Sequence, residues 1–344
     1  MRIGVICPSE IAFRRFMPAL GLCGGLEFAG IGVFRREEMS GVEDISDTEF
    51  ASIRAAEMAK ASSFVDQYGG HIFDGYESLV TSPDVDAVYI PLPPALHYMW
   101  AKKSLENGKH VLVEKPATVS LADTTELVRL ASSKGLALHE NYMFAFHDQL
   151  ARIDELISSG EIGDVRLYRV SFGFPMRAAN DFRYKKALGG GALLDAGGYT
   201  IKYASRLLGD SASVAYAVLN GMDGFEVDMY GSGALVNDDG VTVQVAFGMD
   251  NNYKCELEAW GSQGCLTTGR VLTAPAGFVP TAVIRKGNED SVVELPSDDA
   301  FLKSIRLFAE CTASSGVREA RYREIVRQAE LVDQFMRLAG VKND

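Results

Sequence analysis

Two short segments contain residue types that proton transfer requires, and the first follows an aliphatic run at 111–113. Glu114 and Lys115 come directly after that run, and Pro116 follows them. The run predicts a buried parallel strand, which ends here because proline lacks an N–H donor. Ligands of open α/β sheets bind at the carboxyl ends of strands, so Lys115 is a candidate proton donor or hydroxyl clamp. A solvated ion pair at a strand end explains Glu114 and Lys115 equally well.

The second segment is a glycine run at 189–191 that leads to Asp195 and Tyr199. Glycines let a backbone approach another group closely, and a helix is predicted to begin directly after them. Asp195 and Tyr199 lie one helical turn apart, on the same face of that helix. Asp195 could orient a group or balance its charge, and Tyr199 could deliver a proton. A packed aromatic side chain beside a surface acid is the commoner explanation of such a pair alone.

The beginning of the chain has the layout of a nucleotide-binding turn without its glycines. A strand is predicted at 2–7 and a helix at 11–20, and dinucleotide-binding proteins place a glycine-rich phosphate turn between such elements. Cysteine, serine and alanine occupy the glycine positions, so this fingerprint identifies no nucleotide site on its own. Small side chains still let a pyrophosphate approach the helix N-terminus, although Pro8 removes one N–H donor. The residues expected to contact a dinucleotide here are Cys7, Ser9, Glu10, Ile11 and Ala12.

The end of the second predicted strand, at 28–34, bears on the choice of cofactor. Sites that select NAD usually have an acid there for the ribose 2′-hydroxyl, whereas an arginine suits the 2′-phosphate of NADP. Arg35 and Arg36 therefore favour NADP over NAD. Glu37 and Glu38 keep NAD open, and the two arginines could equally form a solvated turn.

Strands and helices that alternate through residue 140 must position these groups, and they predict a parallel, doubly wound sheet of the Rossmann type. Strands are predicted there at 2–7, 28–34, 85–91, 111–113 and 136–139, and helices at 11–20, 40–68, 97–107 and 120–135. The stretch 73–80 is expected to form a short crossover with one helical turn.

The second half differs, because its predicted strands follow one another along the chain. They lie at 165–172, 213–219, 233–236, 241–247 and 255–260. One helix is predicted to end at 160, and three others are predicted at 192–208, 301–312 and 318–338. This pattern is typical of a mostly antiparallel α+β domain whose sheet has one open face. With 344 residues, the chain is expected to form a dinucleotide-binding domain at 1–140 and a substrate-binding and oligomerisation domain at 141–344. The C-terminal helices could pack back on the first domain.

Composition argues against several classes of protein. The net charge of −12 disfavours nucleic-acid and anionic-membrane partners. The sequence has no secretory leader, no long apolar run, and five scattered cysteines without a C-x-x-C motif, so a reduced cytoplasmic protein is expected. His97, His139 and His147 lack the spacing of metal ligands, so no metal is expected.

Taken together and in order, these segments resemble the glucose-fructose oxidoreductase / inositol dehydrogenase / MocA family. The resemblance covers nearly the whole chain. It is carried by the degenerate turn, P-L-P-P at 91–94 with His97, the E-K-P tripeptide, Glu140-Asn141 and the motif G-G-G-x-L-x-D-x-G-x-Y. The segments 247–249, 261–264 and 271–275 look most similar to the NADP-dependent sugar-nucleotide 3-ketoreductases of that family.

The resemblance implies hydride transfer between a nicotinamide and a carbonyl or hydroxyl group of a sugar. Lys115 and Tyr199 would flank the reacting carbon, one holding the negative charge and the other donating the proton, and Asp195 would join this catalytic group. The cofactor is expected to contact Leu92, Pro93, His97, Glu114, Lys115, Asn141 and Arg183. The substrate is expected to contact Lys115, Asn141, Asp195, Tyr199 and Arg177.

Several alternatives remain open at this stage. Arg177 and Arg183 could hold an anionic substrate such as a sugar diphosphate, or could be rim charges. The enzyme could instead be an NADP-dependent dehydrogenase of a free sugar or dihydrodiol. A cofactor-binding regulator without catalysis is a third reading, against which the presence of both Lys115 and Tyr199 argues. A homodimer or homotetramer formed through the second sheet is expected.

Overall fold

A parallel six-stranded sheet forms the centre of the first part of the structure, a computed structural model that describes residues 1–39 and 45–341. The strands are β1 (Arg2–Val5), β2 (Glu27–Val33), β3 (His71–Asp74), β4 (Ala87–Ile90), β5 (His110–Glu114) and β6 (Leu138–Asn141). Their order across the sheet is β3-β2-β1-β4-β5-β6. The order reverses between β1 and β4, and in doubly wound sheets this switch point is where ligands bind.

Helices connect these strands, and two of them begin at a serine cap. They are α1 (Met17–Leu20), α2 (Asp47–Tyr68), α3 (Tyr76–Thr81), α4 (His97–Glu106) and α5 (Leu121–Lys134). A π-helical turn at Ala12–Phe16 precedes α1. The hydroxyl of Ser46 accepts the N–H of Glu49 at 3.2 Å, and that of Ser120 accepts the N–H of Asp123 at 3.1 Å. These bonds satisfy N–H groups that the first helical turn leaves without partners.

Two features of this part differ most from the sequence prediction: the strand β3, which was not predicted as a strand, and the start of the helix α2. The stretch predicted as a crossover at 73–80 contains the end of the edge strand β3, which pairs with β2 and is followed by α3. Its sequence, H-I-F-D, is exposed at both ends and shows no apolar alternation, so it carries no strand signal. The helix predicted from residue 40 begins at Asp47, and positions 40–44 of that prediction lie outside the described residues.

The second part of the structure contains an eight-stranded sheet. Its strands are β7 (Val165–Gly173), β8 (Ser213–Asn220), β9 (Tyr230–Val236), β10 (Thr242–Gly248), β11 (Lys254–Gly261), β12 (Cys265–Gly269), β13 (Thr281–Lys286) and β14 (Glu289–Glu294). Their order is β14-β13-β12-β11-β7-β10-β9-β8, and among the described strands of this sheet only β7 and β10 pair in parallel. The helices are α6 (Asp148–Ser158) and α7 (Gly198–Leu208), and a π-helical turn at Leu193–Gly197 precedes α7.

Three strands of this sheet, β12 to β14, were not expected from the sequence. They are short and lie at one edge, and β14 is exposed along most of its length. Its sequence, E-D-S-V-V-E, contains more charged than apolar residues, so hydrophobic periodicity does not reveal it.

Side chains alternate across the second sheet between a buried face and an open one. On β7, Tyr168, Val170 and Phe172 are buried, whereas Arg169 points to the opposite face. Helix α7 packs against β7 and β10 on the buried side. Trp260 is 52 % exposed on the other side. The predicted fold class, a Rossmann-type parallel sheet followed by an α+β domain with a mostly antiparallel open-faced sheet, is confirmed.

The chain ends in two helices, α8 (Ala300–Ala313) and α9 (Ser315–Leu338). The described chain divides into two compact units, of which the first consists of Met1–Asn141 and Ser304–Val326. The second consists of Tyr142–Lys303 and the chain from Arg327 onward. Within the described residues, none of the helices combines the length and the apolar composition that crossing a membrane would need.

A buried acid lies beside the turn that follows β1. Glu57 on α2 is 8 % exposed and accepts a hydrogen bond from the phenol of Tyr76 at 2.9 Å. Burial raises the pKa of Glu57 to about 7, although the Tyr76 hydrogen bond acts in the opposite direction. Burial, together with the charge of Glu57, also raises the pKa of the Cys7 thiol to about 12.

Replacing Glu57 by glutamine should therefore change how stability depends on pH. A carboxyl group whose pKa is raised by folding stabilises the folded state below its unfolded value of 4.5, and this contribution is lost as the pH rises through about 7. Over that range the wild type should lose roughly 1–3 kcal/mol of unfolding free energy relative to Glu57→Gln. Urea unfolding at several pH values measures the difference.

The exposed Asp66, also on α2, provides the control for this experiment. Asp66→Asn removes a carboxylate from the same helix without touching Tyr76. Parallel stability curves for the wild type and Glu57→Gln would contradict the role assigned to this buried acid.

Candidate active site

The strand that precedes Lys115 ends in a buried carboxylate with two partners. Glu114, the last residue of β5, accepts hydrogen bonds at 2.7 Å from the phenol of Tyr89 and from the side-chain amide of Asn141. Burial raises the pKa of Glu114, and the two hydrogen bonds and the positive charge of Lys115 oppose this effect. Lys115 itself is half-buried. The strand end that precedes Lys115 is therefore held by hydrogen bonds from both neighbouring strands.

A polar network extends from Asn141 to helix α8 within the first unit. The hydroxyl of Ser304 donates to Oδ1 of Asn141 at 2.7 Å, and Nε2 of His139 lies 2.9 Å from the same hydroxyl. Sequence reasoning missed Ser304, because nothing local marks a serine on a C-terminal helix as a partner of a strand far earlier in the chain. Asn141, expected to contact cofactor and substrate, has both ends of its amide engaged with Glu114 and Ser304.

His97, expected to contact the cofactor, is completely buried. Its ring nitrogens lie 2.7 Å from two main-chain carbonyl oxygens, those of Pro116 and Leu92. Both ring nitrogens therefore face main-chain groups of the protein itself. The histidine instead connects the loops that follow β4 and β5.

The turn after β1 uses some of its own polar groups. The hydroxyl of Ser9 accepts the N–H of Ala12 at 3.2 Å, and the Glu10 carboxylate pairs with Arg14 at 2.6 Å. Ile11 is exposed at the start of the following helix. The turn therefore presents main-chain groups at a helix N-terminus, with Glu10 already occupied by Arg14.

Arg35 and Arg36 lie directly after β2, where they were predicted, and both are exposed to solvent over almost half of their side chains. Arg35 pairs with Asp74 at 3.3 Å, and Arg36 pairs with Asp47 at 2.6 Å. Arg36 also stacks on the ring of Phe50, with its guanidinium carbon 4.7 Å from the ring centroid. Both cations thus stand at the strand end that distinguishes the two nicotinamide cofactors.

Glu38, one of two acids that kept NAD open, points inward instead of toward solvent. It is 8 % exposed, and its carboxylate accepts the N–H groups of Arg35, Tyr76 and Glu77 at 2.8 to 2.9 Å. A carboxylate with three main-chain donors serves to hold the loop together. It is not oriented to bind a ribose hydroxyl.

In the second unit, the ring of Tyr199 is held by three other aromatic rings. Tyr142, Phe144 and Phe172 lie with their centroids 5.2, 5.6 and 5.3 Å from that of Tyr199. A Cβ atom at Gly198 would lie 2.1 Å from the phenolic oxygen of Tyr142, so glycine is required for this packing. The surrounding rings restrict the orientation of Tyr199.

Asp195 is held by an arginine that sequence reasoning had assigned to ligand binding. Nε of Arg183 donates to Asp195 at 2.7 Å, and the guanidinium also contacts Asp181 at 3.1 Å. Burial lowers the pKa of Arg183, but the charges of Asp195 and Asp181 outweigh burial and raise it. Arg177, by contrast, is exposed, and its guanidinium lies 5.3 Å from the ring centroid of Phe174.

A carboxylate from a distant loop caps the helical segment that carries Asp195. Asp228 accepts the N–H of Leu193 at 2.7 Å through its side chain and that of Ala192 at 2.8 Å through its main-chain carbonyl. A Cβ atom at Gly191 would lie 2.4 Å from Asp228 Oδ1, which explains the glycine next to this helix start. Burial raises the pKa of Asp228. Sequence reasoning missed this residue, because capping by a side chain from another segment leaves no local signal.

Among the described residues, no group of three or more histidine, cysteine, aspartate or glutamate side chains could hold a metal ion.

Comparison with known proteins shows the family and close relatives. The model for the oxidoreductase family with an NAD-binding Rossmann fold, GFO_IDH_MocA, matches residues 26–142, and the GFO/IDH/MocA C-terminal domain matches residues 150–267. A dTDP-3,4-didehydro-2,6-dideoxy-alpha-D-glucose 3-reductase of Streptomyces violaceoruber is 38% identical over 351 residues, which cover 98% of this chain and 95% of the relative. A D-xylose 1-dehydrogenase (NADP(+)) of Haloferax volcanii is 32% identical, over 90% of this chain and 94% of the relative.

A solved structure is also similar to this chain over nearly its whole length. KijD10, a 3-ketoreductase from Actinomadura kijaniata in complex with NADP and TDP-benzene, has a TM-score of 0.87 and 36% identity, over 97% of this chain and 96% of that one. Further structures of KijD10 carry a tyrosine-to-phenylalanine or a lysine-to-alanine replacement.

The resemblance seen in the sequence is therefore confirmed by family models that match more than half of the residues and by relatives that match nearly all of them. The chain belongs to the GFO/IDH/MocA family of oxidoreductases.

Proposed function

We propose that this protein is an NADPH-dependent 3-ketoreductase of a nucleotide-linked deoxy sugar. The observation that carries the proposal is the extent of the similarity to a dTDP-sugar 3-reductase, which covers 98% of this chain. Substrate choice in this fold depends on the second half of the chain, so similarity over both halves is more informative than a shared nucleotide-binding domain. In this proposal residues 1–140 bind the cofactor and residues 141–344 bind the sugar.

Lys115 and Tyr199 are proposed as the catalytic pair. The lysine and the tyrosine replaced in the KijD10 variants are separated by the same number of residues as Lys115 and Tyr199. Two chains that match from end to end with equal spacing between these residue types support equivalent positions. Asp195 is proposed to support the pair from the same helical segment as Tyr199.

The chemistry required of the protein is stabilisation of a developing alkoxide and delivery of one proton. When bound, NADPH supplies the hydride. The ammonium of Lys115 donates a hydrogen bond to the carbonyl oxygen and holds its negative charge. The phenol of Tyr199 is proposed to give its proton to that oxygen as the general acid. The aromatic rings around Tyr199 and the Glu114 network before Lys115 fix the two groups in advance.

Residues of the first unit fit a phosphorylated dinucleotide. Arg35 and Arg36 supply two guanidinium groups for a 2′-phosphate, and the helix N-terminus after Ser9 supplies main-chain N–H groups for the pyrophosphate. The inward orientation of Glu38 removes a competing negative charge. We therefore propose that NADP is preferred over NAD.

For the substrate, Arg177 is proposed to bind the anionic diphosphate of the nucleotide. It is exposed and stacked on Phe174, whereas Arg183 is already paired with two carboxylates. A stacked guanidinium is held in place and keeps its N–H groups available for phosphate oxygens.

A free-sugar dehydrogenase is the second candidate, favoured by the similarity to the D-xylose 1-dehydrogenase over 90% of the chain. The two candidates differ in the form of the sugar. Steady-state assays in both directions, with free aldoses and with nucleotide-linked 3-ketosugars, distinguish them.

The wild type should reduce a nucleotide-linked 3-ketosugar with NADPH, and Tyr199→Phe and Lys115→Ala should each lower kcat by about 10²- to 10⁴-fold. NADPH affinity should stay nearly unchanged in Tyr199→Phe, because the lost group acts on the sugar. NADPH absorbance measures turnover, and fluorescence titration measures cofactor affinity.

Tyr203 provides a matched control for the loss of a phenol. It lies on α7 with Tyr199, is buried, and its hydroxyl has no hydrogen-bond partner in the described structure. Tyr203→Phe should therefore keep wild-type turnover. Near-normal rates in both Tyr199→Phe and Lys115→Ala would reject the proposed mechanism.

Arg35→Ala and Arg36→Ala should each weaken NADPH binding by about tenfold, and NADH binding by less than about twofold, because only NADPH offers a 2′-phosphate. Fluorescence titration with both cofactors gives the ratio. Arg14→Ala, an exposed cation near the turn, controls for the change in net charge. Equal losses for both cofactors would remove the case for NADP preference.

We further propose that the open face of the second sheet mediates self-association as a homodimer or homotetramer. Large side chains are exposed on its strands, including Tyr216, Trp260 and Val292. Arg169 pairs there with Glu258 and lies 5.8 Å from the ring centroid of Trp260. Trp260 and Arg169 carry this proposal, because aromatic and arginine side chains are enriched at interfaces, whereas Tyr216 and Val292 lie on the two opposite edge strands.

Placing a charge on this face should therefore reduce the oligomer to smaller species. Sedimentation velocity is expected to show a dimer or tetramer for the wild type and a smaller species for Trp260→Asp. Leu22→Asp changes an exposed apolar residue of the first unit and should leave the mass unchanged. A monomeric wild type, or no change in Trp260→Asp, would contradict the proposed interface.

A further inference from the structure

The ring of His97 bridges two loops at the ligand-binding edge of the first sheet. Leu92 follows β4 and Pro116 follows β5, and these strands are parallel neighbours. Nε2 of His97 lies 2.7 Å from the carbonyl oxygen of Leu92, and Nδ1 lies 2.7 Å from that of Pro116. His97 is the first residue of α4, so its side chain reaches back over its own loop to make the first contact and across to the next loop to make the second.

The loop that contains Lys115 is held from the opposite side as well. The N–H of Ala117 donates to the Glu140 carboxylate at 2.8 Å, and Glu140 lies on β6. His97 on the β4 side and Glu140 on the β6 side therefore hold the carbonyl and the N–H of one peptide group, that between Pro116 and Ala117, one residue after Lys115. The long, flexible lysine side chain starts from a backbone that has little freedom to move.

We propose that His97 is a positioning residue that sets the separation between the loop after β4, assigned to the cofactor, and the loop after β5, which presents Lys115. This inference rests on the proposed function, because it assigns Lys115 to the reaction. It differs from the role expected from sequence, in which His97 touched the cofactor itself.

The protonation state of the ring limits how it can act. Two acceptor oxygens call for an N–H on each nitrogen, which only the imidazolium provides. Burial opposes that charge and lowers the pKa of His97 to about 4, while the two carbonyl contacts raise it and the charge of Lys115 lowers it further. Burial is the largest effect, so at neutral pH the ring is neutral, and its single N–H donates to one of the two carbonyl groups, according to the tautomer.

The two contacts can be removed separately. An asparagine side chain places its amide nitrogen near the position of Nδ1, and a glutamine side chain places its amide nitrogen near that of Nε2. His97→Asn therefore keeps a donor for Pro116 and loses the contact to Leu92, whereas His97→Gln does the reverse. Each variant is the control for the other, since both replace the ring by an amide of similar polarity.

The experiment measures kcat at saturating substrates and the Kd of NADPH for the wild type, both His97 variants and Lys115→Ala. His97→Gln should lower kcat by about tenfold with the Kd changed by less than about threefold, because the lysine loop is released. His97→Asn should raise the Kd of NADPH by about tenfold with kcat changed by less than about threefold. Leu105→Ala, which removes a buried side chain from α4 without touching either loop, shows what destabilisation of the helix alone does.

Equal changes in both parameters in the two His97 variants, or none in either, would overturn the inference. So would a matching loss of kcat in folded Leu105→Ala. Unchanged turnover in Lys115→Ala would instead refute the proposed function, and the effect of His97→Asn on NADPH binding would still report on the loop after β4. The two failures are thus distinguishable.

Discussion

A carboxylate buried at the end of a parallel strand needs partners, because an unpaired buried charge is among the most costly features that a folded protein can contain. Glu114 finds them in Tyr89 on β4 and Asn141 on β6. Three adjacent strands are thereby tied together at the edge where they all end, and Ser304 joins the network from α8. Since Lys115 is the next residue, the position of its backbone follows from the way in which Glu114 is satisfied.

In the second unit, too, carboxylates that lie away from solvent have hydrogen-bond partners. Asp195 is paired with Arg183, and Asp228 accepts main-chain N–H groups at the start of the helical segment that carries Asp195. The ring of Tyr199 is oriented by packing against Phe144 and Phe172. The charged side chains are thus positioned by ion pairs and hydrogen bonds, and the Tyr199 ring is positioned by aromatic packing. Side chains held in this way need little rearrangement when a substrate binds.

Much of the fold and part of the site could be predicted from local patterns. Aliphatic runs that end at proline or glycine marked the parallel strands, and the glycine run marked the start of the helix of Tyr199. The edge strands β3 and β14 were not predicted, because a strand that pairs with only one neighbour can have a polar, exposed sequence. Ser304 and Asp228 were missed for another reason, because each contacts a segment far away in the chain. A single sequence does not show which distant side chain contacts a given residue. For the same reason the inward turn of Glu38 could not be read from its position after Arg35.

The eroded glycine fingerprint is compatible with membership of a nucleotide-binding family because of where the Cys7 side chain lies. Its thiol interacts with Tyr76 and Glu57, and burial raises its pKa. Cys7 is partly buried, and its thiol is directed toward these two side chains. Pyrophosphate binding at a helix N-terminus depends on main-chain N–H groups. A cysteine at the position of the first glycine is therefore compatible with such a site, because its thiol faces Tyr76 and Glu57.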